Sequence, residues 1–173
     1  MRTIKFKGKC IDSEFKDKIA YGSLLMFPDG RANIFEYDHD TIFKYFGVYP
    51  ETVCQYIGFK DKKGKEIYEG DLLRSDKYPF SFINKEENMR DNYYGVIVWN
   101  KTTASFCITT VKNPESSVED TYNGKIYYIH QDELKKFEVI GSIHDAEWKD
   151  RLNLKDEYGY ESTISKEGRP HAC

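Results

Sequence analysis

The segment of residues 52–74 constrains the fold of this chain more than any other part of the sequence. Apolar residues dominate positions 53–59, and the charged stretch 60–65 that follows contains Gly64, which is placed to adopt a positive φ. A second apolar run leads to Gly-Asp at residues 70–71, a pair typical of a tight turn or a bulge. The segment therefore predicts two strands joined by a charged hairpin loop, and a third strand directly after the turn.

Short strand patterns recur along the rest of the chain. Residues 3–10 alternate between apolar and polar side chains, which is typical of a half-buried strand, and Pro-Asp-Gly at 28–30 predicts a hairpin turn. Further strands are predicted at residues 19–27, 33–37, 94–99, 104–111, 125–130 and 137–143. Residues 41–46 fit either a short helix or a strand, because their aromatic side chains favour sheet. Asp145 is placed to cap a short C-terminal helix over residues 146–154.

The strand count and the composition both indicate an all-β protein with a few short helices. About eight short strands separated by turns are typical of a barrel or a sandwich, and an aromatic fraction of 16% suits pleated surfaces. A length of 173 residues corresponds to one domain, or to one domain with an appended lobe. Residues 75–93 predict a long loop, and the charged residues 155–173 predict a flexible C-terminal tail.

Charge and cysteine usage narrow the class of protein. A net charge of −3 argues against a dedicated duplex-binding protein, since neutralising phosphates needs a basic surface. Cys10, Cys54, Cys107 and Cys173 form no C-x-x-C pair, which favours isolated thiols in a reducing compartment over a zinc site or a disulfide framework. The N-terminus has no apolar signal-peptide run, and no apolar stretch has the length of a membrane span. We therefore expect a cytoplasmic protein without a membrane partner.

Several groups of side chains have the chemistry of functional sites, and each also has a structural interpretation. They are Asp-His-Asp at 38–40, His130 with His144 and Asp145, Cys54 and Cys107, and Glu66, Glu69 and Asp71 near Arg74. Adjacent residues of a strand alternate faces, so residues 38–40 are better suited to a cap or turn than to a metal. The histidines have no Gly-x-Ser-x-Gly elbow, and the two thiols lie in apolar strands. Turn chemistry explains the acidic group. We predict no catalytic residue, metal ligand or cofactor.

The charged loop 60–65 is the best candidate for a ligand contact. Gly-rich phosphate loops need a strand–loop–helix context, which is missing here, so a solvated hairpin tip is the structural alternative. Lysines beside aromatic rings still suit a nucleotide, because a base stacks on a ring while Lys meets phosphate. The predicted ligand-binding residues are Tyr56, Lys62, Lys63, Lys65, Tyr68 and Arg74.

Residues 50–74 resemble the signature of the YopX family of bacteriophage and prophage proteins. Other segments agree with the resemblance, namely residues 4–9, 21–24, 94–99 and 137–145. Together they cover residues 3–154 in order. Two departures stand out, because Cys54 occupies a position where the family usually has a small residue such as glycine, and the 75–93 loop is long.

The resemblance implies a fold and an origin but no mechanism. It implies a small β-barrel of the Src-homology-3-like kind, a phage origin and a homo-oligomer, and it carries no catalytic residues over to this chain. On this basis we expect an N-terminal β-hairpin region at residues 1–50, a YopX-like barrel at 51–154 that ends in the short helix, and the tail at 155–173.

We therefore expect a phage or prophage accessory protein that acts by binding rather than by catalysis. Its partner would be a host component or a small nucleotide-like ligand, such as a nucleotide immune signal held between subunits. The alternative is a nucleic-acid-binding module, since small barrels often serve that purpose, although the net charge of −3 argues against it. An enzyme is a third hypothesis, which has no catalytic constellation to support it.

Overall fold

The computed structural model describes residues 3–15, 18–37, 43–76, 92–112 and 124–148. Within these ranges the chain forms two compact units, and the boundary between them falls between Tyr56 and Ile57. Nearly all regular structure is antiparallel strand, arranged in a six-stranded sheet of order β4-β3-β2-β1-β5-β6 and a five-stranded sheet of order β10-β9-β8-β7-β11. The predicted all-β class is therefore confirmed.

The first unit is built from the N-terminal strands. Its elements are β1 (Phe6–Lys9), a 3-10 turn at Ser13–Phe15, β2 (Ile19–Met26), β3 (Ala32–Tyr37), β4 (Phe43–Val48), a 3-10 turn at Pro50–Thr52, and the start of β5 (Cys54–Lys60). Alternate residues of these strands point inward, as the period of two requires. They form one buried cluster, which consists of Cys10, Ala20, Ala32, Ile34, Phe46 and Val48.

Strand β2 pairs with two neighbours, and the change of partner falls directly after Gly22. Its first half pairs with β1, where Gly22 lies opposite Phe6, and its second half pairs with β3, where Ser23 lies opposite Phe35. A Cβ atom on Gly22 would overlap the carbonyl oxygen of Phe35, so only glycine fits at this close approach.

The end of β1 also meets the end of β4. Cys10 forms an isolated antiparallel bridge with Val48. The backbone N–H of Ile11 donates to the Gly47 carbonyl, and the N–H of Tyr49 donates to the Lys9 carbonyl, both at 2.9 Å. These bonds satisfy backbone groups at the C-terminal end of β4, which would otherwise form part of an open sheet edge.

The second unit contains the five-stranded sheet and short helical segments. Its elements are the remainder of β5, β6 (Glu66–Tyr68), β7 (Asp71–Ser75), β8 (Tyr93–Asn100), β9 (Ser105–Val111), β10 (Ile126–Tyr128), α1 (Gln131–Leu134) and β11 (Glu138–Ser142). One buried cluster consists of Ile57, Ile67, Leu73, Ile97, Ile108, Leu134, Phe137 and Val139. A second, smaller cluster consists of Leu72, Tyr94, Val96 and Val111. β7, β8 and β9 contribute to both clusters, because their side chains alternate between the two faces of the sheet.

Strand β11 pairs with β7 through an irregular register. Glu138 lies opposite Arg74, and the ladder then shifts between Val139 and Gly141. Ile140 is therefore the extra residue of a bulge, the feature that re-aims side chains along a strand.

The structure resolves some of the open expectations. Residues 43–48 form strand β4, so the strand alternative is correct for residues 43–46, while residues 41–42 lie outside the described residues. Gly64 has the expected positive φ, at 81°. Residues 146–148 are helical, as the C-terminal helix prediction requires, while 149–154 lie outside the described residues. Most of the 75–93 loop and the whole of the 155–173 tail also lie outside them. Over the ranges that the structure describes, neither sheet closes into a barrel.

Among the residues that the structure describes, no helix is both long and apolar enough to span a membrane. The division of the described chain after Tyr56 falls within strand β5.

We expect Gly22→Ala to destabilise the protein by about 3 kcal/mol, because the new methyl group meets backbone and the strand must shift. Gly47→Ala is the matched control, since the nearest atom to its Cβ is Asn33 Oδ1 at 3.8 Å and its strand has room for the group. Urea denaturation followed by circular dichroism measures both. Equal midpoints for the two variants would contradict the close approach at Gly22.

Candidate anion-binding site

The hairpin loop between β5 and β6 is held by one buried carboxylate. Asp61 is 5% exposed. Its Oδ1 accepts hydrogen bonds from the backbone N–H groups of Lys63 and Lys65, both at 2.8 Å, and its Oδ2 accepts one from the N–H of Val139 at 2.9 Å. The Lys62 N–H also donates to the Phe137 carbonyl at 2.9 Å. The loop is thereby fixed against the start of β11.

This docking brings three cations to one carboxylate. The Lys63 ammonium donates a hydrogen bond to Glu138 Oε1 at 2.6 Å. Lys62 Nζ lies 3.6 Å from Oε2 of the same carboxylate, and a guanidinium nitrogen of Arg74 lies 3.9 Å from that oxygen. We call Lys62, Lys63 and Arg74 the cation cluster, and Glu138 is the carboxylate at its centre.

Strand pairing places the members of the cluster. Arg74 stands directly opposite Glu138 in the β7–β11 ladder, so the two side chains share one face of the sheet. The two lysines come from the hairpin loop that Asp61 holds against β11. The hairpin loop and β7, which are close in sequence, therefore both meet the distant strand β11.

The charges of the cluster do not cancel. Lys62 Nζ also lies 3.9 Å from Asp76, so three cations face two carboxylates and one positive charge is left over. The hydrogen bond from Lys63 is the main reason that the pKa of Glu138 is lowered, and the charges of Lys63, Lys62 and Arg74 add to it, while desolvation opposes the shift. Glu138 is therefore ionised at neutral pH.

The structure brings together three of the six residues predicted to bind a ligand, Lys62, Lys63 and Arg74. Lys65 lies in the same loop and is exposed, with its backbone N–H on Asp61. The described part of the chain shows no contact between its ammonium and the central carboxylate.

The two predicted aromatic residues have different surroundings. Tyr68 is only 2% exposed, and its hydroxyl donates to Glu66 Oε2 at 2.8 Å. Tyr56 is 8% exposed and belongs to the first unit, where Lys5 Nζ lies 5.9 Å from the centre of its ring. Because both rings are buried, neither presents a face on which a base could stack.

Sequence reasoning missed Asp61 and Glu138. Asp61 stands in a run of lysines and resembles a solvated loop residue. Its position before Lys-Lys-Gly is the signal for a side chain that bonds to the backbone two residues on. Glu138 carries no local signal, because its role depends on pairing with β7.

The other candidate groups have structural roles where they are described. Asp71 is 1% exposed, and its Oδ2 accepts a hydrogen bond from the Tyr68 N–H at 2.8 Å, which is turn chemistry. Asp145 Oδ2 accepts a hydrogen bond from the Ser142 N–H at 2.9 Å. The thiols of Cys54 and Cys107 are buried.

The candidate group at residues 38–40 lies outside the described residues. In the ranges that the structure covers, no group of three or more His, Cys, Asp or Glu side chains is arranged to hold a metal ion.

The fold and this site define a β-rich protein with two antiparallel sheets and a cation cluster at a hairpin loop. The YopX protein family matches residues 12–147, a range that contains every described strand except β1 and every member of the cluster. The chain therefore belongs to the YopX family, as the resemblance indicates. None of the curated proteins matches it.

The chain is also similar to a solved structure, the crystal structure of protein EF1440 from Enterococcus faecalis. The two share 16% sequence identity, and the match covers 83% of this chain and 95% of that chain with a TM-score of 0.43.

We expect Asp61→Ala to reduce the free energy of unfolding by about 3 kcal/mol, because three backbone N–H groups lose a charged acceptor. Tryptophan fluorescence during urea denaturation measures the loss, since both tryptophans, Trp99 and Trp148, lie in the second unit. Asp132→Ala is the control, because this carboxylate is exposed and its one ion pair among the described residues is with Lys135, at 3.3 Å. The loss in this variant should stay within about 0.5 kcal/mol. A similar loss in both variants would contradict the role of Asp61.

We expect Lys63→Ala to raise the pKa of Glu138 toward its ordinary value, because the variant removes the hydrogen bond that lowers it most. Lys65→Ala removes the same charge from the same loop and should leave that pKa nearly unchanged. Carboxyl carbon NMR titration of the protein measures both variants. An equal rise in the two would show that the general charge of the loop, rather than the hydrogen bond, sets the ionisation of Glu138.

Proposed function

We propose that this YopX-family chain is a phage or prophage accessory protein that acts by binding a small nucleotide-like anion rather than by catalysis. The observation that carries the proposal is the cation cluster, in which Lys62, Lys63 and Arg74 all lie within 3.9 Å of one carboxylate. Three cations gathered around one carboxylate suit an anionic group with several oxygens.

The residue types of the cluster favour phosphate. An arginine guanidinium offers paired donors in a planar fork, and a lysine ammonium offers a compact point charge. Lys62 and Arg74 are both partly exposed, with 30% and 42% of their side-chain surface open to solvent. Their charged ends are thus within reach of a ligand, and the fold has already placed them side by side.

The burial of the two aromatic rings indicates which part of a nucleotide this site would recognise. Since Tyr56 and Tyr68 are buried, a base would not be read by stacking on them. Recognition of a nucleotide at this site would rest on its phosphate groups, with the base left to contacts outside the cluster. The same chemistry would suit an acidic surface of a host protein, which is the second kind of partner within this proposal.

The wider context follows from the family. Membership of the YopX family supports a phage origin, and we propose that the protein works in the host cytoplasm as a homo-oligomer. We also retain the Src-homology-3-like barrel as a proposal for residues 51–154. The meander β7-β8-β9 and the pairing of β7 with β11 support it, because small barrels are built from such antiparallel neighbours.

We expect the protein to bind adenosine and guanosine nucleotides in a calorimetric titration, and we expect Arg74→Ala and Lys62→Ala each to weaken that binding about tenfold. A factor of ten corresponds to about 1.4 kcal/mol, the size of one hydrogen bond to a charged group. Lys112→Ala is the control, because it removes the same charge from an exposed lysine of the second unit that has no described contact with Glu138.

The outcomes of this titration separate the hypotheses. Unchanged nucleotide affinity in both cluster variants would place the ligand elsewhere. Binding to single-stranded DNA or RNA that falls steeply with salt, in the absence of mononucleotide binding, would instead favour the nucleic-acid-binding module.

A further inference from the structure

We propose that Glu138 occupies the place of the ligand's anionic group, so that the site accepts a ligand by exchange and selects a terminal phosphate monoester over a phosphodiester. This inference rests on the proposed function and specifies its ligand. It is based on the difference between the two oxygens of the Glu138 carboxylate in their distances to the three cations.

The two oxygens of Glu138 have different partners. Oε1 accepts the 2.6 Å hydrogen bond from Lys63. Oε2 lies between Lys62 and Arg74, at 3.6 and 3.9 Å, and both distances are longer than a hydrogen bond. The carboxylate is thus hydrogen-bonded to Lys63, while its interaction with Lys62 and Arg74 is electrostatic without a hydrogen bond.

Lys62 and Arg74 consequently keep donors for a ligand. Within the described ranges neither side chain makes a hydrogen bond, although each lies near the same oxygen. While its other oxygen is bound to Lys63, the planar carboxylate makes a hydrogen bond to neither Lys62 nor Arg74. A tetrahedral phosphate has three terminal oxygens and can meet Lys62 and Arg74 at once.

Charge decides which anions displace the carboxylate. Glu138 contributes one negative charge to the cluster, and a phosphodiester carries one as well, so exchanging one for the other brings no gain in charge. A phosphate monoester carries about −1.5 to −2 at pH 7. When Glu138 rotates away, the three cations lose one neighbouring negative charge. Of the two ligands, only the monoester replaces it with a larger negative charge.

Glu138 would then act in two ways. It keeps three like charges together before the ligand arrives, and it sets a threshold that singly charged anions do not pass. Glu138→Gln removes the threshold because it preserves the shape of the side chain and removes its charge. Glu138→Asp keeps the charge, so it should keep the selectivity.

The test compares adenosine 5′-monophosphate with 3′,5′-cyclic adenosine monophosphate, which share base, sugar and one phosphorus but differ in charge. Affinities are measured by calorimetry on the full chain at pH 7.5 and constant salt. We expect the wild-type protein to prefer the monophosphate about tenfold. Glu138→Gln should bind both nucleotides more tightly and reduce the preference to about twofold, while Glu138→Asp should retain it.

Asp29→Asn is the matched charge control. It removes one exposed carboxylate from an ion pair with Arg31 of 2.8 Å and leaves the cation cluster untouched. Its affinities and its preference should equal those of the wild-type protein. Circular dichroism of each variant verifies that the fold is retained, and the ratio of the two affinities is a readout that a loss of stability does not move.

The results distinguish this inference from the function on which it rests. Equal affinities of the wild-type protein for the two nucleotides, or an unchanged ratio in Glu138→Gln, would overturn the role of Glu138 and leave nucleotide binding in place. Failure of the wild-type protein and of Glu138→Gln to bind either nucleotide at millimolar concentration would overturn both proposals.

Discussion

The hairpin of the second unit depends on the hydrogen bonds that the Asp61 carboxylate accepts. A buried charge is costly unless its oxygens are satisfied, and here three backbone N–H groups satisfy them. Two of these groups belong to the loop and the third belongs to Val139 at the start of β11. One side chain therefore closes the turn and also attaches it to a strand that lies 78 residues further along the chain.

The cation cluster is a consequence of that attachment. Asp61 brings Lys62 and Lys63 to β11, and antiparallel pairing with β7 supplies Arg74 opposite Glu138. The backbone of each member is hydrogen-bonded, so the points from which the three side chains extend are fixed. Fixing these starting points before the ligand arrives lowers the entropy cost of binding, which is the meaning of preorganisation in an anion site.

The local part of this arrangement could be predicted from the sequence, and the non-local part could not. Gly64 predicted the hairpin loop, because turn chemistry is encoded within a few residues. The family signature over residues 50–74 identified the segment that contains this loop. The contact between Lys63 and Glu138 spans 75 residues and depends on a strand register that no local pattern contains. Tyr68 illustrates the same limit, because tyrosine suits both a buried position and a wet one, and the fold decided between them.

The bulge at Ile140 has an evolutionary consequence. The pairing of Ser142 with Asp71, continued without a shift, would set Glu138 opposite Ser75 instead of Arg74. One residue inserted or deleted at this point would therefore change what stands at the centre of the cluster while the ladder beyond it stayed in register. Related chains could gain, lose or retune an anion site through length variation in β11, with the apolar framework around it left unaltered.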